Sequence, residues 1–170
     1  NGTGGGNWSA TTTWSGAVVP TQNDSVIITG SDKVVLDATF SCYSINITGS
    51  AKLYTNIPLP VTIPAYLRVY GSAIQVDGTL GDKTETVAND AIGIEFTGHV
   101  TLIGTGTIKP ARIRPVSNTQ NSSFTFDADA TLNYAGSSGT GGAALLTENG
   151  TSNNITINVN PGKILSLVDL

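Results

Sequence analysis

Three of the chain's eight basic residues, Lys109, Arg112 and Arg114, fall within six positions. A basic group beside acidic calcium ligands is what a polysaccharide lyase uses to take a proton from a uronate, so an active centre would be sought here first. The spacing is loose, however, and Pro110 and Pro115 interrupt it, which favours a solvated strand edge or a subunit contact. His99 is the only histidine and follows the Gly98 turn. A general base needs an orienting partner, and the flanking residues offer no nucleophile motif, so it reads as an exposed turn residue. Asp127 and Asp129 have the spacing of calcium ligands but lack the glycine and distal glutamate of an EF-hand loop. The looser set Asp77, Asp82, Glu85 and Asp90 reads as a solvated acidic loop. Cys42 has no activating motif nearby and sits in a strand-like run with Phe40 and Tyr43, which suits a small buried hydrophobe. The expectation is therefore no catalytic residue, no cofactor and no metal.

Asn-x-Ser/Thr sequons occur at Asn1, Asn7, Asn23, Asn46, Asn121, Asn149 and Asn154. In a sequence rich in Ser, Thr and Asn many arise by composition, and they carry N-glycans only where the source has the machinery. The Thr105 and Thr107 pair resembles a flat ice-binding face, but such pairs do not recur at one repeat position, so that reading is set aside.

What would position these side chains is a repeat. Ile28-Thr29-Gly30-Ser31-Asp32-Lys33-Val34 returns as Ile47-Thr48-Gly49-Ser50-Ala51-Lys52-Leu53, with Ile-Thr-Gly-Ser and the lysine in register. A strand, a glycine turn and a second strand recurring at this spacing is the mark of a solenoid, each coil burying its apolar face on the next. A third coil reads Leu67 to Val76 with its glycine at Gly71, and a fourth runs from Ile92 through Gly98 to Leu102. Two weaker coils follow, Phe124 to Tyr134 and Ile155 to Leu167. Only Ala143 to Glu148 suits a short helical turn. Residues 1–25 read as an N-terminal extension and cap: a glycine-rich start, then Trp8 and Trp14 placed to cover the first coil. Residues 26–170 read as β-helix coils with loop insertions. The run Ile164, Leu165, Leu167 and Leu170 is apolar, so the last coil reads as uncapped, to be covered by another subunit or by the rest of a longer protein.

Composition narrows the function. The chain has 170 residues, 12% charged and 39% hydrophobic, with 20 glycines and net charge -4. That is one domain's length of a β-rich polypeptide, and its negative charge argues against nucleic acid and anionic membranes. Pro58, Pro60 and Pro64 cut the longest apolar neighbourhood, so no membrane insertion is expected. The absence of methionine suggests a mature chain from which a signal peptide has been removed.

Trp14-Ser15-Gly16, Val19-Pro20, Asn23-Asp24-Ser25-Val26 and Val35-Leu36-Asp37 resemble the opening of parallel β-helix modules in secreted and cell-surface proteins of Bacteroidetes-type bacteria. The glycine-punctuated rungs that follow, Gly104-Thr105-Gly106-Thr107-Ile108 among them, resemble the same modules. The resemblance implies an all-β, single-domain, right-handed parallel β-helix, export and an extracellular or cell-surface location. Asp24-Ser25-Val26 also resembles an O-glycosylation site of such proteins, which marks Ser25 beside Asn46, Asn121, Asn149 and Asn154 as candidate glycosylation positions.

Together these readings predict a structural subunit of an extracellular filament, stalk or surface layer. It would assemble head to tail, Ile164 to Leu170 of one copy meeting the segment around Trp8 and Trp14 of the next, or would join neighbouring modules of a longer chain. An adhesin or carbohydrate-binding module is the alternative, with Tyr54, Tyr66, Tyr70 and Tyr134 as stacking platforms for a glycan. A fragment of a polysaccharide lyase or hydrolase is the third reading.

Overall fold

The structure is a computed structural model describing residues 4–55, 65–81, 92–110, 112–116, 122–134 and 155–169. It opens with strand β1 (Gly5–Asn7), a short 3-10 turn at Thr11–Thr13, β2 (Ser25–Ile28) and β3 (Lys33–Val35). Three coils of three strands follow. They are β4 (Phe40–Cys42), β5 (Ser44–Ile47) and β6 (Lys52–Tyr54); then β7 (Tyr66–Val69), β8 (Ala73–Val76) and β9 (Thr79–Leu80); then β10 (Gly93–Phe96), β11 (His99–Ile103) and β12 (Thr107–Ile108). A last stretch holds β13 (Arg112–Pro115), β14 (Ser122–Asp127), β15 (Ala130–Tyr134), β16 (Ile155–Val159) and β17 (Leu165–Asp169).

Each coil lays its strands on different sheets, and every pairing among the described residues is parallel. One sheet runs β4-β7-β10-β13, a second β2-β5-β8-β11-β14-β16 and a third β1-β3-β6-β9-β12, while β15 pairs with β17. The chain is thus all-β with parallel sheets, an architecture consistent with a β-solenoid. Among the described residues no helix is long and apolar enough to cross a membrane. The Ala143 to Glu148 turn lies outside the described residues.

The alternation of apolar and polar residues explains the arrangement. In β2, β5 and β8 each second residue is buried, so stacking in register builds continuous columns of inward side chains. One column runs Val26, Ile45, Ile74, Leu102, Phe126 and Val159. Another runs Val34, Leu53, Leu80 and Ile108. All of these β-branched, leucine and aromatic side chains except Val159, which is exposed, belong to one hydrophobic cluster, each burial stabilising the fold by about 1.5–3 kcal/mol against exposure.

The founding repeat stacks as its spelling implies: Ile28 lies over Ile47, Lys33 over Lys52, and the Thr48 hydroxyl donates to that of Thr29 at 3.0 Å. The third coil departs from the sequence reading. Ile47 pairs with Val76, so the glycine continuing the Gly30 and Gly49 corner is Gly78, not Gly71. Gly71 stands at another corner, where its N–H donates to the Tyr43 carbonyl. Within the glycine-rich start, Gly5 to Asn7 add as a strand to β3. A Cβ on Gly5 would lie 2.0 Å from the Lys33 carbonyl oxygen, and φ there is +102°, so only glycine lets the strand come this close.

Candidate functional site

Two regions concentrate the residues singled out by the sequence: the two ends of the strand ladder, and the outer face of the sheet β4-β7-β10-β13.

At the first rung, Trp8 is fully buried. It stacks on Phe40 at a centroid distance of 5.9 Å and meets Trp14 edge-on at 4.8 Å. Trp14 donates from Nε1 to the Trp8 carbonyl at 2.8 Å, and the Thr13 hydroxyl donates to the Asn7 carbonyl at 2.7 Å. Ser9 fixes the segment to the first coil, its N–H and hydroxyl both donating to the Asp37 carboxylate. Farther on, Thr21 donates from N–H and hydroxyl to Asp24, holding its carboxyl below the usual value.

At the last rung nothing comparable is described. Ile164 is 63% exposed and Leu167 is exposed too, while Leu165 packs partly against the core; Leu170 lies outside the described residues. The Asp129 carboxylate accepts the Ile164 N–H at 2.8 Å, and the Ile164 carbonyl accepts the Ala130 N–H at 2.9 Å. Asp129 thus fastens the last rung to the one before it.

On the outer face, parallel register brings together residues far apart in sequence. Arg68, Glu95 and Arg114 occupy equivalent positions on β7, β10 and β13. Glu95 is only 1% exposed. One of its carboxylate oxygens accepts Arg68 Nε, and the other accepts Arg114 Nε at 2.8 Å and Nη2 at 2.5 Å. In the neighbouring row Tyr66, Gly93 and Arg112 align. A Cβ on Gly93 would meet the Tyr66 ring at 2.5 Å, so the glycine leaves room for that ring. Its hydroxyl accepts Arg112 Nη1 at 2.9 Å, and the Arg114 guanidinium lies 4.1 Å from its centroid. Arg112 Nε is buried without a partner.

Chemically this is a brace across three rungs. Both Glu95 oxygens are engaged by guanidinium groups from the rungs on either side. The sequence pointed to Arg112 and Arg114 but missed Arg68 and Glu95. The signal was there as three apolar–charged–apolar triplets: Leu67-Arg68-Val69, Ile94-Glu95-Phe96 and Ile113-Arg114-Pro115. Lys109 follows β12, its N–H donating to the Leu80 carbonyl.

The remaining candidates are dispersed. His99 is exposed, its Nδ1 2.8 Å from the Ser123 hydroxyl on the next rung. Asp77 accepts Gln75 Nε2 and the Thr105 N–H, which together hold its carboxyl below the usual value, the Gln75 bond contributing most. Among the described residues no three His, Cys, Asp or Glu side chains are grouped to hold a metal ion; Asp82, Glu85 and Asp90 lie outside them. Cys42 is buried, and desolvation pushes its thiol up to about 12, which makes it inert. Tyr66 is buried in a strand instead of standing on a loop, which counts against it as a glycan platform; Tyr54 and Tyr70 are half-buried, and the Tyr134 ring lies outside the described side chains. Thr107 aligns with Thr79, but Lys52 and Lys33 continue that row, so no threonine face forms.

Of the glycosylation candidates, Ser25 is exposed on β2, its oxygen accepting the Ser44 hydroxyl at 2.9 Å. Asn46 is half-buried on β5, with Oδ1 buried and unpartnered. Asn1, Asn121, Asn149 and Asn154 lie outside the described residues. Comparison with family models, curated proteins and solved structures returns no match for this chain.

Proposed function

We propose that this chain is a structural module of an extracellular filament, stalk or surface layer, assembling head to tail with copies of itself and performing no catalysis. The observation that carries the reading is the last rung, where Val159 and Leu167 stand exposed in the line of the core, with Ile164 exposed beside them. Apolar side chains stacked on a buried column gain most when another rung covers them. Among the described residues β2 and β16 are the terminal strands of their sheet, and their outer edges can supply directional hydrogen bonds for the same contact. A translation that puts one end on the other is heterologous and propagates instead of closing.

The coils wind right-handed, as parallel strands joined by crossovers overwhelmingly do. Residues 1–25 act as a cap on a single domain formed by residues 26–170. Its hydroxyl-rich, low-charge surface suits an exported protein, and glycans on Ser25 or exposed asparagines would add solubility. Electron microscopy and sedimentation of the purified chain test the function. Filaments, or species whose mass grows with concentration, are expected. A monodisperse monomer whose 155–169 amides resist hydrogen exchange would remove the reading.

A further inference from the structure

A groove of about 440 Å³ runs along β2. All four β2 residues and Val34 line one side, and Trp14 with Val18 to Pro20 lines the other. Among the described residues β2 is the terminal strand of the six-stranded sheet, paired with β5, and β16 is the terminal strand at the opposite end. The N-terminal segment therefore stands off from the edge it covers, and all four residues of β2 line the space between.

We propose that this groove accepts β16 of a second copy, which adds in parallel to β2 with Ile157 against Val26 and Val159 against Ile28. This rests on the head-to-tail reading and fixes its geometry. Three observations select the occupant and its register. Every pair in the sheet is parallel, so a translated copy continues it without reversing direction. Side chains alternate with a period of two, so only even shifts keep Ile157 and Val159 facing inward; of these, this shift alone seats both on the two buried residues of β2. Finally, the lining contains the carboxylates Asp24 and Asp32 and no basic residue, while residues 155–163 carry a single charge, Lys163. Lys163 follows Val159 by the same four positions by which Asp32 follows Ile28, so the pairing brings ammonium and carboxylate to the same turn. Addition of a strand to a free edge supplies affinity through the main chain and specificity through alternate side chains.

In this register Asn158 of one copy lies beside Ile27 of the next, and both positions are exposed in the single chain. Neighbouring residues on paired strands are about 4.8 Å apart, within disulfide reach. The test is the double variant Ile27→Cys/Asn158→Cys, oxidised mildly and run on non-reducing gels, beside each single variant and Ser25→Cys/Asn158→Cys. Buried Cys42 stays silent. A ladder of dimer, trimer and larger species from the first pair, with single variants giving dimers at most, is expected. A ladder from the Ser25 pair instead would overturn the register. Assembly in sedimentation without cross-linking by either pair would overturn the groove while leaving head-to-tail assembly standing. A monomer in sedimentation with no cross-link would remove both.

Discussion

Val26 and Val159 are the same residue type in the same inward column, at its first and last positions, yet Val26 is 4% exposed and Val159 42%. Leu132 and Leu167 repeat the contrast on adjacent rungs, at 0% and 61%. Residue identity and register are matched in both comparisons, so neither explains the difference. What differs is what lies across the column. At the start, residues 8–14 turn two tryptophans onto the first coil, tie one to the other's backbone and fasten the turn to Asp37. At the end, Ile157 and Leu165 pack partly against the core while Val159 and Leu167 are left in solvent. Register builds the interior of such a ladder, but only a segment that crosses it can finish an end.

Trp8 gives the largest expected effect. Trp8→Ala removes a fully buried indole from between Phe40 and Trp14 and should cost about 3–5 kcal/mol in chemical denaturation. Trp8 Nε1 is buried without a partner, so Trp8→Phe removes an unsatisfied donor along with some packing and should lose far less than Ala. An alanine variant within about 0.5 kcal/mol of the parent, the range of surface changes, would mean that the first rung does not depend on this ring.

The paired leucines come next. Leu132→Ala should cost about 2–5 kcal/mol. Leu167→Ala, one rung on, should change the stability of the isolated chain by less than about 0.5 kcal/mol while lowering the mass of assemblies in sedimentation. Equal destabilisation by the two would show that Leu167 is covered within a single chain, and the contrast between ends would disappear.

How much of this was legible in the sequence follows from how local each signal is. The first two coils are joined by short corners, so Ile28 over Ile47 and Lys33 over Lys52 could be read by eye. The alternation at Val26 to Ile28 and Phe124 to Phe126 likewise named strands and core, because period two is a property of neighbours. Beyond Leu53 the loops lengthen unequally, and Gly71 was aligned with Gly49 because a Gly-Ser pair looks alike at either corner. β1 was missed because glycines suggest flexibility, whereas here they permit close approach to Lys33. The Arg68, Glu95 and Arg114 brace is the clearest non-local feature. Each is an ordinary outward residue on its own strand, and only the pairing of three rungs makes them one network.

The smallest predicted effect concerns acid and the same asymmetry. Asp24 lines the groove, and its carboxylate accepts the Thr21 hydroxyl at 2.7 Å and the Thr21 N–H at 2.8 Å. These bonds favour the ionised form, so its folded pKa lies below the ordinary 3.8. Well above 3.8 the carboxyl is ionised in both folded and unfolded chains, and the contribution is fully present. As pH falls below that value the unfolded chain takes up the proton first, and the contribution is lost as the folded carboxyl is titrated. Asp24 is solvent-exposed, so the effect on global stability is small and best read as a difference between slopes. Asp24→Asn should flatten the acid limb of stability against pH relative to the parent. Asp77, shifted the same way by Gln75 and Thr105, remains in both proteins and cancels in the difference. Residues 155–163 contain no carboxylate, so hydrogen exchange between pH 4 and pH 2.5 should loosen the 21–28 amides ahead of the 155–159 amides. Simultaneous loosening, or an acid limb that Asp24→Asn leaves unchanged, would mean that the Thr21 turn does not hold the edge of β2.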